Sequence, residues 1–191
     1  GVAIVVSLDT AMLDSGTWVA LFRMYATLRG AGLWPEFVSD EQIAAGQGTL
    51  PRFRILVVPA ATWFDRKALD ALTDWTRAGG NLVVTDPFAF SRSPAGGDYS
   101  PEALRFLGWR AVTGALDLTV QTAQGTAVVE RLADGRPAVT ERAYGDGCVI
   151  ASPVSLTWPP GRWPSVRSSR RRSTAETRIG GGSSRQSGPP R

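Results

Sequence analysis

The stretch Phe53 to Asp86, FRILVVPAATWFDRKALDALTDWTRAGGNLVVTD, holds an apolar strand, an amphipathic helix, a Gly-Gly stop and a second apolar strand. Phe53 to Val58 and Asn81 to Thr85 are continuous apolar runs of the kind a strand shows when both faces of its sheet are covered. Between them Ala68, Leu69, Leu72 and Trp75 recur at helical spacing, Asp65 stands where a helix cap belongs, and Gly79-Gly80 ends the pattern. The unit is a βαβ crossover, which is right-handed and joins parallel neighbours.

The pattern continues on either side. Val2 to Val6 reads as the first strand, followed by a polar loop from Ser7 to Gly16. Trp18, Leu21, Phe22, Tyr25 and Leu28 then form one helical stripe that Gly30 and Gly32 would end, with Asp14 or Ser15 as its cap. Trp34 to Ser39 reads as a shorter strand and Asp40 to Ala45 as a brief helical turn ended by Gly46. These alternations predict an α/β fold, a flavodoxin-like three-layer sandwich with a mostly parallel sheet.

Downstream the rhythm changes. After a short helix over Pro101 to Leu107, β-type stretches appear at Leu118 to Gln121, Ala127 to Arg131, Ala138 to Ala143 and Cys148 to Ser152. Asp134-Gly135 and Gly145-Asp146-Gly147 mark turns between the later ones. One of these strands is expected to complete the parallel sheet and the others to form a small β-hairpin extension.

Composition separates the chain into two polymers. Residues 1–158 hold 13 basic and 16 acidic side chains, so the expected domain is mildly acidic. Residues 159–191 hold eight arginines and one acid, Glu176, in a background of Ser, Gly and Pro. Such a segment cannot bury enough apolar surface to offset an ordering cost of about 1 to 2 kcal/mol per residue, so a disordered basic tail is expected there. Its abrupt onset is also what an out-of-frame translation of a GC-rich gene would produce. The run Arg170-Arg171-Arg172 could hold phosphates, but it has little aromatic interleaving and no folded recognition module, so nucleic acid is not an expected partner.

The longest nearly apolar run, Ile55 to Phe64, is ten residues, against the roughly 18 to 20 that a spanning helix needs, and no membrane association is expected. Gly1 to Ser7 is already strand-like with no basic segment before it, which favours a cytoplasmic location, although Gly1 is no initiator. The single cysteine, Cys148, lies in an apolar strand-like stretch and reads as a buried, inert thiol. Gly30-Ala31-Gly32 ends a helix instead of opening one, so it is no dinucleotide fingerprint, and no cofactor is expected.

In open α/β sheets the chemistry collects at the carboxyl ends of the strands. Here the fourth strand runs into Thr85-Asp86-Pro87-Phe88-Ala89-Phe90, with no Cys or Ser at the elbow, and the chain contains no histidine. Asp9, Asp14 and Asp86 could gather at that edge around a hard cation or as an acid/base pair, or could serve only as loop caps. Trp63, Phe88 and Phe90 follow strand ends and could stack on a sugar, fill the core or meet another subunit.

Several of these segments resemble a known family. Tyr25 to Gly32, Phe37-Val38-Ser39, Arg54 to Ala60 and Leu72 to Val84 are similar to the β-galactosidase trimerisation domain, the middle module of glycoside hydrolase family 42 enzymes. Arg142 to Ile150, with Tyr144-Gly145-Asp146-Gly147, resembles the Tyr-Gly-x-Gly strand that closes such domains. The resemblance implies a class I glutamine amidotransferase-like fold without its active site, since that pattern wants a Cys where Asp86 stands. It further implies a fragment or detached copy of a larger hydrolase whose catalytic carboxylates sit on a separate barrel. The expected role is then a non-catalytic accessory and oligomerisation module. Its partners would be further copies of itself or that barrel. The rival expectation is a carbohydrate- or small-ligand-binding module at the carboxyl edge of the sheet.

Overall fold

The computed structural model describes residues 1–46, 48–111 and 120–154. The expected basic tail, and Leu118 and Thr119 of the stretch Leu118 to Gln121, lie outside the described residues.

Five strands build the parallel part of the sheet: β1 (Val2–Val6), β2 (Glu36–Ser39), β3 (Ile55–Val58), β4 (Asn81–Val84) and, from the far end of the chain, β9 (Gly147–Ala151). Two antiparallel strands, β8 (Pro137–Tyr144) and β7 (Thr126–Arg131), extend it, giving the order β2-β1-β3-β4-β9-β8-β7. The expected hairpin is therefore part of the main sheet. A separate two-stranded ladder joins β5 (Trp109–Ala111) to β6 (Val120–Thr122). The architecture is a mixed α/β sandwich of flavodoxin-like type.

Alternate residues of each strand feed opposite layers. Ala3, Val5, Leu56, Val58, Leu82 and Val84 face one layer, where helices α3 (Asp40–Ala44), α4 (Arg66–Arg77) and α5 (Ser100–Leu107) cover them. Ile4, Val57 and Val83 face the other, against Leu21, Met24 and Leu28 of α2 (Gly16–Gly30). Trp109 is fully buried among the first group, and its indole Nε1 donates to Thr140 Oγ1 at 2.9 Å. That bond satisfies the one polar atom of a large core side chain.

Local signals explain the helix ends. Asp65 caps α4 by accepting from the Ala68 amide at 3.0 Å, as its position foretold. Ser39 and Gln42 form a reciprocal capping box at α3. Strand β2 begins at Glu36, two residues later than expected, just beyond Pro35, which has no amide to give a ladder.

Two expectations fail near the start of the chain. The segment expected as a loop contains a helix, α1 (Leu8–Leu13), because Ser7 accepts from the Thr10 amide and Asp9 sits in the first turn. In α2 the buried face is Thr17, Leu21, Met24 and Leu28, while Trp18 and Phe22 of the expected stripe point outward. Both sets have helical spacing. Leu21 and Leu28 are common to both, so the helix is rotated toward Thr17 and Met24 and away from Trp18 and Phe22.

Two backbone segments meet with no room for side chains where α4 turns into β4. The Cys148 amide donates to Gly80 O at 3.2 Å and the Asp146 amide to Arg77 O at 2.9 Å. A Cβ on Gly147 would collide with the carbonyl oxygens of Gly80 and Thr76, and one on Gly80 with the Trp75 ring. Gly147→Ala should therefore destabilise the domain by about 2 to 3 kcal/mol, as overpacking against backbone does. A guanidinium midpoint lowered at unchanged slope is the expected reading.

Candidate functional site

The carboxyl ends of β1, β3 and β4 open onto a cleft of about 870 Å³ beside α2. Thr10, Thr17, Thr62 and Thr85 line it, and its rim carries Asp14, Arg23 and Phe88. Phe88 is 50 % exposed there.

Asp86 lies at the base of this cleft. Its Oδ2 accepts from the Ala61 amide at 3.0 Å and from Thr62 Oγ1 at 3.5 Å, and its Oδ1 from the Phe88 amide at 2.8 Å. Burial pushes its carboxyl above the ordinary 3.8, the backbone amides pull it back, and the charge of Asp14 adds to the rise. The side chain thus ties the loop after β3 to the loop after β4. Both of its oxygens are already occupied by the protein.

Only part of the expected cluster forms. Asp14 and Asp86 line the same cleft, but Asp14 Oδ1 accepts from the Gly16 amide at 2.8 Å, closing the turn into α2. Asp9 stands in the first turn of α1, where its charge helps raise the carboxyl of buried Asp40 behind the larger effect of burial. Among the described residues no group of three or more acidic or cysteine side chains could hold a metal ion, so the three aspartates do not make a cation site. The reason is local, since each is drawn to backbone or loop geometry of its own.

The aromatic candidates also part company. Phe88 borders the cleft, whereas Trp63 lines a separate, smaller cavity of about 250 Å³ with Arg92 and Asp98. Of the three fates expected for these aromatics, Phe90 takes the core and leaves the ligand or interface edge. It is fully buried with a positive φ of 60°, its ring edge-on to Phe64 at 4.9 Å and tilted against Phe106 at 6.3 Å, so it belongs to the core.

A polar knot that the sequence did not reveal sits behind the cleft. The carbonyl of Trp63 accepts from Ser7 Oγ and from Thr10 Oγ1 at 2.8 Å, and the Trp63 amide donates back to Thr10 Oγ1 at 3.0 Å. Ser7 and Thr10 are buried. They lie in the segment expected as loop, where a hydroxyl's reach across 53 residues to another strand end leaves no local sequence signal.

Cys148, the other conceivable nucleophile, is far from this edge. It lies at the start of β9, half-buried, with Sγ 3.1 Å from Asn81 Oδ1, and burial pushes its thiol up to about 11. A thiol held protonated at neutral pH is a poor nucleophile.

Comparisons with known proteins give a fold but no family. No family model matches the chain, and no curated protein matches it. Among solved structures, the β-galactosidase from Rahnella sp. R3 matches 79 % of this chain at TM-score 0.63 and 17 % identity. The catalytic mutant of Gan42B, a GH42 β-galactosidase from G. stearothermophilus, matches 79 % at TM-score 0.62 and 14 % identity. The exo-β-1,4-mannosidase Op5Man5 from an Opitutaceae bacterium matches 81 % at TM-score 0.55 and 14 % identity. This chain spans 28 %, 27 % and 31 % of those three chains respectively. It shares the fold of a part of these glycoside hydrolases. No described helix is long and apolar enough to cross a membrane.

Two measurements check the chemistry of this edge. Cys148 should react with a disulfide reagent at pH 8 far more slowly in the folded chain than after unfolding; equally fast labelling of the folded chain would contradict its raised thiol. Asp86→Asn should cost about 1 kcal/mol near neutral pH, because one of the two backbone donors, the part-buried Ala61 amide or the exposed Phe88 amide, loses its acceptor. The native carboxyl binds its proton more tightly in the folded chain than in the unfolded one. Its contribution is therefore full below 3.8 and is lost as pH rises through the elevated folded value. The stability gap between wild type and variant should narrow over that rise.

Proposed function

We propose that this chain is a non-catalytic accessory and subunit-packing domain of a β-galactosidase-type glycoside hydrolase, a piece of a larger enzyme. The observation that carries the reading is the edge itself. Asp86 occupies the position where an amidotransferase-like enzyme would carry its nucleophile, and it is bound to two backbone amides. No histidine exists anywhere in the sequence to move a proton beside it. A site without nucleophile and base keeps little of a triad's rate, since losing one member costs on the order of 10⁴-fold. The likeness to about 27 to 31 % of three glycoside hydrolase chains supports a module that serves chemistry located elsewhere.

A second reading rests on the cleft. The partly exposed Thr62 on its wall and the half-exposed ring of Phe88 suit a neutral polyhydroxylated ligand, with a hydroxyl to hydrogen-bond and an aromatic face to stack on. The two readings separate in solution. The purified chain should leave nitrophenyl galactosides, glutamine and peptide substrates at their uncatalysed rates. Turnover by the chain alone would refute the packing-domain reading, and saturable heat on titration with galactose, lost in Phe88→Ala, would replace it with the second.

A further inference from the structure

A cavity of about 280 Å³ lies between α4, α5 and β8, and it shares no lining residue with the cleft or with the cavity beside Trp63. Helical spacing builds two of its sides. Arg66, Leu69, Asp70 and Thr73 recur three and four residues apart on α4, and Glu102, Arg105 and Phe106 do the same on α5. Strand alternation builds the third, since Arg142 and Tyr144 stand two residues apart on β8 and share one face of the sheet. Leu69 and Phe106 are buried, and the Tyr144 ring meets Phe106 edge-on at 5.2 Å, whereas Arg66, Asp70, Glu102 and Arg105 are exposed. The cavity thus has an apolar floor and a charged rim.

The charges of that rim do not cancel. Three guanidiniums, Arg66, Arg105 and Arg142, stand against two carboxylates, Asp70 and Glu102, which leaves 3 − 2 = +1. Arg66 engages both acids, its Nε donating to Asp70 Oδ1 at 3.1 Å and its Nη1 to Glu102 Oε2. No ion pair among the described residues involves Arg105 or Arg142. Two positive side chains from separate elements therefore meet at one cavity whose acids are already taken. A guanidinium's planar, paired N–H donors match the oxygens of a carboxylate or phosphate.

Arg142 is fixed in place without a ligand. Its Nη1 donates to the carbonyl of Arg105 in the last turn of α5, and its guanidinium lies 5.7 Å from the centre of the Tyr144 ring. Its stem passes Gly108, where φ is 80° and a Cβ would collide with Arg142 Cδ and Thr126 Oγ1. The carbonyl uses one of the five N–H donors of the group, and a side chain already held loses little freedom when the others bind.

We propose that this cavity binds a small organic oxyanion, a carboxylate or phosphate monoester carrying an apolar ring, with Arg105 and Arg142 on the anionic group and the ring against Leu69 and Phe106. The site is independent of the packing-domain reading. Isothermal titration of the full chain with phenyl phosphate, benzoate and inorganic phosphate tests it. At least one of the two aromatic anions should bind saturably and about tenfold more tightly than inorganic phosphate, because the ring adds apolar burial that the free ion lacks. Arg105→Gln and Arg142→Gln should each weaken that binding about tenfold, with unchanged far-ultraviolet dichroism. Arg136→Gln, which removes the same charge in the turn before β8, should change nothing. Arg105 is exposed, so its replacement tests the site even where Arg142→Gln fails to fold. Tighter binding of phenyl phosphate assigns a phosphate ligand and tighter binding of benzoate a carboxylate, both within the proposal. Absence of saturable heat with either aromatic anion would overturn it. So would heat that survives both substitutions, which would arise at arginines elsewhere, the run Arg170 to Arg172 among them. Inorganic phosphate binding as tightly as the aromatic anions would overturn the ligand class.

Discussion

The close approach of two glycine-containing turns holds this domain in register. Gly80 leaves α4 and Gly147 enters β9, and their backbones touch where any side chain would push them apart. The contact sets the starting level of β4 against β9, so that Asn81 pairs with Cys148 and Val84 with Ala151. A one-residue slip there would turn Leu82 and Val84 out of one apolar layer and into the other. Because β9 in turn carries β8 and β7, the whole second half of the sheet hangs on that junction.

At the opposite, carboxyl edge the same economy of space appears as polar tethering. Asp86 joins the loops after β3 and β4, and Ser7 with Thr10 joins the end of β1 to the loop after β3. Buried polar groups that are fully engaged in this way rigidify an edge. Among the described residues lining the cleft, the titratable side chains besides Asp86 are Asp14 and Arg23, next to the open ring of Phe88. An edge that an enzyme would use for reaction is here spent on holding loops together.

The architecture was legible in the sequence wherever a signal was local. The apolar runs of β1, β3 and β4, the Asp65 cap, the Gly79-Gly80 stop and the Gly145-Asp146-Gly147 turn each carry their own physical reason, and each stands where it was expected. What failed needed knowledge of the neighbours. The phase of α2 is undecidable from spacing alone: Leu21 and Leu28 of the expected stripe are buried, but Thr17 and Met24 complete that face as well by spacing as Trp18 and Phe22 would. Phe90 looked like an edge aromatic since it follows a strand closely, yet a left-handed backbone turn folds it inward onto Phe64. The candidate site was half legible for the same reason. Asp86 and Phe88 sit at a strand end that topology alone identifies, whereas Thr10 and Thr62 join them only through tertiary contacts.

The outward turn of Trp18 and Phe22 links fold to role, since it leaves two large aromatic side chains exposed on a helix flank. Amide hydrogen exchange of the full chain, followed by mass spectrometry at low and high protein concentration and again with galactose, tests the central claim most directly. Expected is slower exchange across α2 and the β2 edge as concentration rises, with the loops around Ala61 and Phe88 indifferent to sugar. Protection of those loops by galactose, with α2 unchanged at every concentration, would contradict a packing domain.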